Sequence, residues 1–132
     1  MRAFLYVDLS STAGVTFQQP LLEQVTEQYP ELSILDLDTQ SDELMQHYAK
    51  KLLQEAEQSI ICIKGDRLNI GFGKLTPILE ELLRPEKGRL VLLLGWHSRL
   101  QRMLQARPLL QFKQVEDEDR VLEETEQFLR KD

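Results

Sequence analysis

The sequence predicts an α/β protein: a three-layer α/β/α sandwich built on a five-stranded parallel sheet with strand order 2-1-3-4-5. Three observations carry this. The run Ser59-Ile60-Ile61-Cys62-Ile63-Lys64 is short, apolar and β-branched, and it stops at the turn signal Gly65-Asp66. A strand covered on both faces reads this way, and such strands belong to parallel sheets. The run Arg89-Leu90-Val91-Leu92-Leu93-Leu94-Gly95 repeats the pattern. Apolar stripes at helical spacing separate the candidate strands, as in βαβ units with right-handed crossovers. In this order the strand at 59–64 is the central one.

The elements follow in turn. Residues 3–7 form the first strand, with Asp8 at its C-terminal end. The small polar loop that follows reaches Thr16, which is placed to cap a helix with Gln19 as its capping-box partner. Pro20 is tolerated in that first turn, Leu21, Leu22, Val25 and Tyr29 form the stripe, and Pro30 ends it. Residues 32–37 are the second strand, and Thr39 or Ser41 caps the next helix. Its stripe is Leu44, Met45, Tyr48, Ala49, Leu52, Leu53 and Ala56. After the strand at 59–64 and a glycine-containing loop over 65–74, Thr76-Pro77 reads as an N-cap with proline at the first helical position. Ile78, Leu79, Leu82 and Leu83 face inward, and Arg84-Pro85 stops the helix. Past the strand at 89–95, Ser98 is placed to cap a short helix marked by Leu100, Met103 and Leu104. Residues 109–115 are an edge strand, since their polar alternation suits a wet side. Asp117 or Asp119 opens the last helix, with Val121, Leu122, Thr125, Phe128 and Leu129 inward.

The 132 residues are read as one domain, 1–132, long enough to bury a core without disulfide or metal support. A net charge of −6 argues against nucleic acid or an anionic membrane as the main partner, because phosphate binding needs clustered Lys and Arg. The single cysteine, Cys62, falls inside the buried run, where a thiol is inert. No apolar run approaches the ~20 residues that span a bilayer. The first strand is too short for a signal-peptide core, so a cytoplasmic location is expected.

In open α/β sheets ligands bind beyond the C-terminal ends of the strands, where the strand order reverses. Here that point lies between the first and third strands, faced by loops 9–16, 65–74 and 95–99. Helix starts expected at Thr16, Thr76 and Ser98 aim backbone N–H groups there, which favours an anion such as phosphate or carboxylate.

The first loop, Ser10-Ser11-Thr12-Ala13-Gly14-Val15-Thr16, resembles the phosphate loop of flavodoxins, roughly Ser/Thr-x-Thr-Gly-x-Thr, with one residue inserted. The resemblance implies FMN on Ser10, Ser11, Thr12, Gly14 and Thr16. It also implies flavin stacking on aromatics from the loops after the third and fourth strands, where Phe72 and Trp96 stand. Asp66, Asn69 and His97 complete the candidate set. Read from the residues alone, the first loop is a hydroxyl-rich helix entrance. Trp96 either lines a pocket or plugs the end of the sandwich. His97 is either an acid or base or a solvated loop histidine.

Other chemistries have weaker anchors. Asp8 and Asp66 end neighbouring strands, but response-regulator receivers need an acidic pair after the first strand and Lys-Pro after the fifth, where this chain has Asp8 alone and Lys113-Gln114. The helix leading through Glu55-Ala56-Glu57 into a buried third strand resembles deoxyribosyltransferase-like and TIR-like domains. That resemblance implies a glutamate on the next helix acting at a ribosyl carbon. Glu80 and Glu81 are the candidates, and a solvated helix face is the plainer reading of both. The chain contains no Gly-x-Gly-x-x-Gly, P-loop, Cys-x-x-Cys or Gly-x-Ser-x-Gly sequence. With His47 and His97 far apart, no metal site is expected. The acidic stretch 116–119, with Glu123, Glu124 and Glu126, reads as a solvated helix face.

The expected function is a small flavodoxin-like domain that binds a partner protein or small anionic ligand at the C-terminal edge of the sheet, without catalysis. The alternatives are FMN-dependent electron transfer and cleavage of a nucleoside or NAD glycosidic bond. Self-association into a homo-oligomer is a further expectation.

Overall fold

The computed structural model describes residues 1–10, 20–68 and 71–130. Strands β1 (Arg2–Asp8), β2 (Ser33–Asp38), β3 (Gln58–Gly65), β4 (Arg89–Gly95) and β5 (Phe112–Val115) alternate with helices. These are α1 (Pro20–Gln28), α2 (Glu43–Glu55), α3 (Leu79–Leu82), α4 (Ser98–Gln105) and α5 (Glu118–Arg130). The sheet is five-stranded in the order β2-β1-β3-β4-β5, and every pairing is parallel. This is the flavodoxin-like order expected from the sequence, with 59–64 in the middle.

The period of two along each strand divides the core. Leu5 and Val7 of β1, Ile61 and Ile63 of β3, and Val91 and Leu93 of β4 pack against α2, α3 and α4. Phe4, Tyr6, Ile60, Cys62, Leu90 and Leu92 pack against α1 and α5. The side chains of Ile60, Ile61, Cys62 and Ile63 are all fully buried. At about 1.5–3 kcal/mol per large apolar side chain, this strand is a major source of the stability that sets the register of its neighbours.

Several local expectations are corrected. Helix α2 is capped by Asp42, whose carboxylate accepts from the Met45 N–H at 3.0 Å, and not by Thr39 or Ser41. The Ser41 hydroxyl instead accepts from the Asp38 N–H. Its inward stripe is Ala49 and Leu53, with Met45 against the same core, while Leu44 and Tyr48, one position back and about 100° around the helix, are exposed. Thr76 is no N-cap. The chain turns helical earlier, in a 3-10 segment Gly73–Ile78 that contains Pro77. Contacts to the loop after β2 and to α2 hold it there: the Lys74 N–H donates to the Thr39 carbonyl, and Gln46 Nε2 of α2 donates to the Lys74 carbonyl at 2.7 Å. Gly73 has φ +58, and a Cβ there would stand 2.5 Å from the Thr39 oxygen.

Strand β5 is shorter than expected. A turn at 107–110, closed by the Leu110 N–H on the Arg107 carbonyl, buries Leu110 and leaves Leu109 83% exposed. The Asp117 carboxylate accepts from the Arg120 N–H at the start of α5. Glu124, expected in solvent, is buried and receives a 2.8 Å bond from Lys113 Nζ, which ties β5 to α5. The expected cap Thr16 and partner Gln19 lie outside the described residues.

Candidate functional site

At the C-terminal rim, β1 and β3 stay paired one step past the strand end, through the Leu9 N–H on the Lys64 carbonyl. The buried Asp8 carboxylate accepts from both the backbone N–H and the hydroxyl of Ser10, at 2.9 and 2.6 Å. The Asp66 carboxylate accepts from the Leu68 N–H at 3.0 Å, closing an Asx turn at the exit of β3. Ser10 and Asp66 therefore both shape the strand exits. Ser11, Thr12, Gly14, Thr16 and Asn69 lie outside the described residues.

Gly65 and Gly95 are register partners at the ends of β3 and β4. Gly95 takes φ +87, and a Cβ on it would lie 2.5 Å from the Gly65 oxygen. A Cβ on Gly65 would meet the Trp96 carbonyl at 2.8 Å and His97 Cβ at 3.0 Å. The missing side chains let the exit of β4 fold down onto β3 and carry His97 into the core.

His97 is fully buried, which corrects its reading as a solvated loop residue. Its Nδ1 accepts from the Leu100 N–H at 3.2 Å and caps α4, the role expected of Ser98. With Nδ1 accepting, the ring proton sits on Nε2, 3.2 Å from the Gly71 carbonyl that it reaches across the rim. The imidazole also stacks on Phe72. Both ring nitrogens are thus engaged in holding two loops together, and the ring is a positioning group.

Phe72, at 3% exposure, belongs to the core beneath the rim and offers no open face for a flavin ring. Trp96 is half-buried and stays at the rim. Two arginines complete the cluster. The Arg67 guanidinium lies 5.1 Å from the centre of the Trp96 ring, and that of Arg99 lies 4.9 Å from the centre of the Phe72 ring. Both arginines are exposed. Arg99 sits in the first turn of α4, which carries no acidic residue. Sequence reasoning dwelt on the aromatics and hydroxyls of these loops and passed over the two cations beside them, although a basic residue in a helix's first turn opposes the helix dipole and is a legible signal.

The α5 side of the same rim has the opposite charge. A cavity of about 460 Å³ there is bounded by Lys64, Gly65, Gly95 and the acidic stretch 116–119. A groove of about 610 Å³ lies off the strand ends between α2 and the 3-10 segment, lined by residues including Gln46, His47, Lys50 and Lys74.

The two glutamates proposed for glycosidic chemistry stand elsewhere. Helix α3 leads into the N-terminal end of β4, so Glu80 and Glu81 belong to the opposite edge of the sheet. Glu80 is exposed and pairs with Arg107 at 3.3 Å. Glu81, expected in solvent, is only 5% exposed and faces the equally buried Arg89, the first residue of β4. Burial lowers the Arg89 pKa, and the Glu81 charge opposes that shift. Burial pushes the Cys62 thiol well above its ordinary pKa, as expected of an inert core cysteine. Among the described residues no three His, Cys, Asp or Glu side chains are grouped to hold a metal, and no helix is long and apolar enough to cross a membrane.

A scan against protein-family models gives no match, and no curated protein matches the chain. The fold rests on topology alone, and topology of this kind hosts many unrelated activities.

Proposed function

We propose that the chain is a member of the flavodoxin-like superfamily that binds an anionic ligand, or an anionic segment of a partner protein, at the C-terminal rim without catalysis of its own. The observation that carries this reading is the pair of exposed guanidiniums laid on Trp96 and Phe72. An aromatic face holds a guanidinium in place while leaving its N–H edges open, at about 0.5–1 kcal/mol per contact in exposed positions. The first turn of α4 adds backbone N–H groups and the positive end of its dipole, with no carboxylate to neutralise them. This reading assigns further donors to Ser11, Thr12, Gly14 and Thr16 of the first loop, where Ser10 is held on Asp8, and assigns Asp66 and Asn69 to the second. His97 and Phe72 position the loops from below.

The test is a thermal-shift series with inorganic phosphate, FMN, ADP and a poly-glutamate peptide, run on the wild type and on the Arg67→Ala/Arg99→Ala double variant. Stabilisation by at least one of these anions, lost in the double variant, is the expected result. Stabilisation by none, or equal stabilisation of both proteins, removes the reading. A purified protein carrying bound flavin would move it to electron transfer.

A further inference from the structure

Helix α2 carries an apolar line that the described residues leave largely uncovered. Leu44 and Tyr48 are 58% and 53% exposed, and Leu52, next at the same spacing, is half-buried. At about 100° per residue, Leu44 and Leu52 stand within about 40° of Tyr48, and Ala49 on the core side is about 100° away. None of the three packs on either apolar core of the described residues. His47 and Lys50 face the other way, into the groove beside the 3-10 segment. The line therefore overhangs the outer flank of α2, where the sheet ends. Helix α2 packs on both β1 and β2, and β2 is the outermost strand, paired with β1 alone.

Single exposed leucines are ordinary, but a line at i, i+4, i+8 beside a free sheet edge is an interaction surface. Charge and spacing say what covers it. Lys51 and Glu55, the charged residues nearest the line, cancel each other. Glu55 closes α2, whose last turn has no basic residue, so a carboxylate sits at the negative end of the helix dipole. A second α2 running antiparallel brings its positive N-terminal end to Glu55, and the same contact recurs at the other end of the pair. The line reads Leu-Tyr-Leu in both directions, as a two-fold axis through Tyr48 requires. Because α2 rests on both β1 and β2, its axis lies about half a strand spacing inside β2. Edge pairing of two β2 strands at about 4.8 Å then sets the two α2 axes about 10 Å apart, the separation of packed helices. Centred on Leu35, that antiparallel pairing sets Leu35 against Leu35 and Asp36 against Ile34, so no like charges stand directly opposite.

We propose that α2 and the free edge of β2 form the interface of a symmetric homodimer. One two-fold axis, perpendicular to the sheet, turns both elements antiparallel to their copies. Leu44 packs on Leu52 of the second copy, Tyr48 packs on Tyr48, and the two sheets join through β2. The C-terminal rim stays open in each copy, since its loops follow β1, β3 and β4, away from this edge.

The test is sedimentation velocity at micromolar and near-millimolar concentration on the wild type, Tyr48→Arg, Leu44→Glu and Leu109→Glu. Leu109, at 83% exposure, is the control leucine away from the interface. All four side chains replaced are exposed, and circular dichroism checks that each variant folds. The expected result is a wild-type dimer that dissociates on dilution, monomers for Tyr48→Arg and Leu44→Glu at both concentrations, and a dimer for Leu109→Glu. Mild oxidation supplies a second readout, because a residue on the axis meets its own copy. Tyr48→Cys is expected to form a disulfide-linked dimer and Leu109→Cys is not, while the native Cys62 is buried and takes no part. A wild type that stays monomeric near millimolar concentration, a dimer that survives both Tyr48→Arg and Leu44→Glu, or a Tyr48→Cys protein that does not cross-link overturns the proposal.

Discussion

The imidazole of His97 lies against the ring of Phe72, with centroids 4.9 Å apart and planes 19° from parallel. The contact joins the exit of β4 to the exit of β3, and the same imidazole caps α4 through Nδ1 and reaches the Gly71 carbonyl through Nε2. One buried side chain thus ties the loop that carries Arg67 to the start of α4, which carries Arg99.

Replacing His97 by Ala removes a helix cap, an aromatic stack and a buried volume together. A lost cap costs about 1 kcal/mol, and large-to-small changes in a core cost about 2–5 kcal/mol. His97→Ala is expected to lose roughly 3 kcal/mol in urea denaturation. His97→Asn keeps a capping oxygen and is expected to recover about 1 kcal/mol of that. Equal loss in both variants would show that the cap contributes nothing.

Gly95 is the tighter of the two glycines at the strand ends. Its φ of +87 is unfavourable for any side chain, and a Cβ would meet backbone, which cannot swing aside. Gly95→Ala is expected to cost at least about 2 kcal/mol, seen as a lower urea midpoint with an unchanged slope. A midpoint within error of the wild type would mean that the β4 exit relaxes freely.

The layout of the sheet was legible because burial on both faces leaves an unbroken apolar signature in 59–64 and 89–95, and because stripes at helical spacing separate the strands. What stayed hidden depends on contacts between segments distant in sequence. Thr76-Pro77 carries every local mark of a helix start, yet the bond from Lys74 to Thr39 bends the chain earlier. Ser98 is the residue type that caps helices, yet His97 does so once Gly65 and Gly95 let it sink. Glu81 looks like half of a solvated Glu-Glu pair, and only the placement of Arg89 at the foot of β4 makes it a core residue. At the rim, the hydroxyl-rich first loop drew attention by resemblance, while Arg67 and Arg99 stood out only after the rings beneath them were placed.

Alkaline pH offers a test of the β3 core. Burial raises the Cys62 thiol above its ordinary value of 9.0, and burial likewise raises Tyr6, which packs in the same layer. For each group the folded pKa exceeds the unfolded one. Their contribution to stability is complete below the unfolded pKa and is lost as pH rises toward the folded value. Stability is therefore expected to hold to about pH 8.5 and then fall, by up to about 1.4 kcal/mol per pH unit for each group once its unfolded form ionises. Cys62→Ala removes the thiol's share, so its stability should fall less steeply between pH 9 and 10. Identical slopes for the two proteins would mean that the thiol is not held protonated by the fold. Native protein should also resist thiol alkylation that proceeds in denaturant.

The Arg89–Glu81 pair invites a cycle of substitutions, because two opposed effects meet there. Both groups are almost wholly buried and together sit between α3 and the start of β4. Breaking a buried pair by removing one partner typically costs about 3–5 kcal/mol; here Arg84, 3.5 Å from Glu81 Oε2, offsets part of that when Arg89 is removed. Arg89→Met alone is therefore expected to be strongly destabilised, the more so because the guanidinium also bridges the carbonyls of Glu81 and Leu53. Replacing both, as Arg89→Met/Glu81→Leu, removes the two desolvated charges at once and fills the site with apolar volume. The double variant is expected to recover at least about 2 kcal/mol relative to Arg89→Met, since apolar replacements of buried ion pairs are often neutral or stabilising. Chemical denaturation of the four proteins gives the coupling energy directly. A double variant no more stable than Arg89→Met would mean that the carbonyl contacts of Arg89, and not its charge on Glu81, hold the foot of β4 against α3.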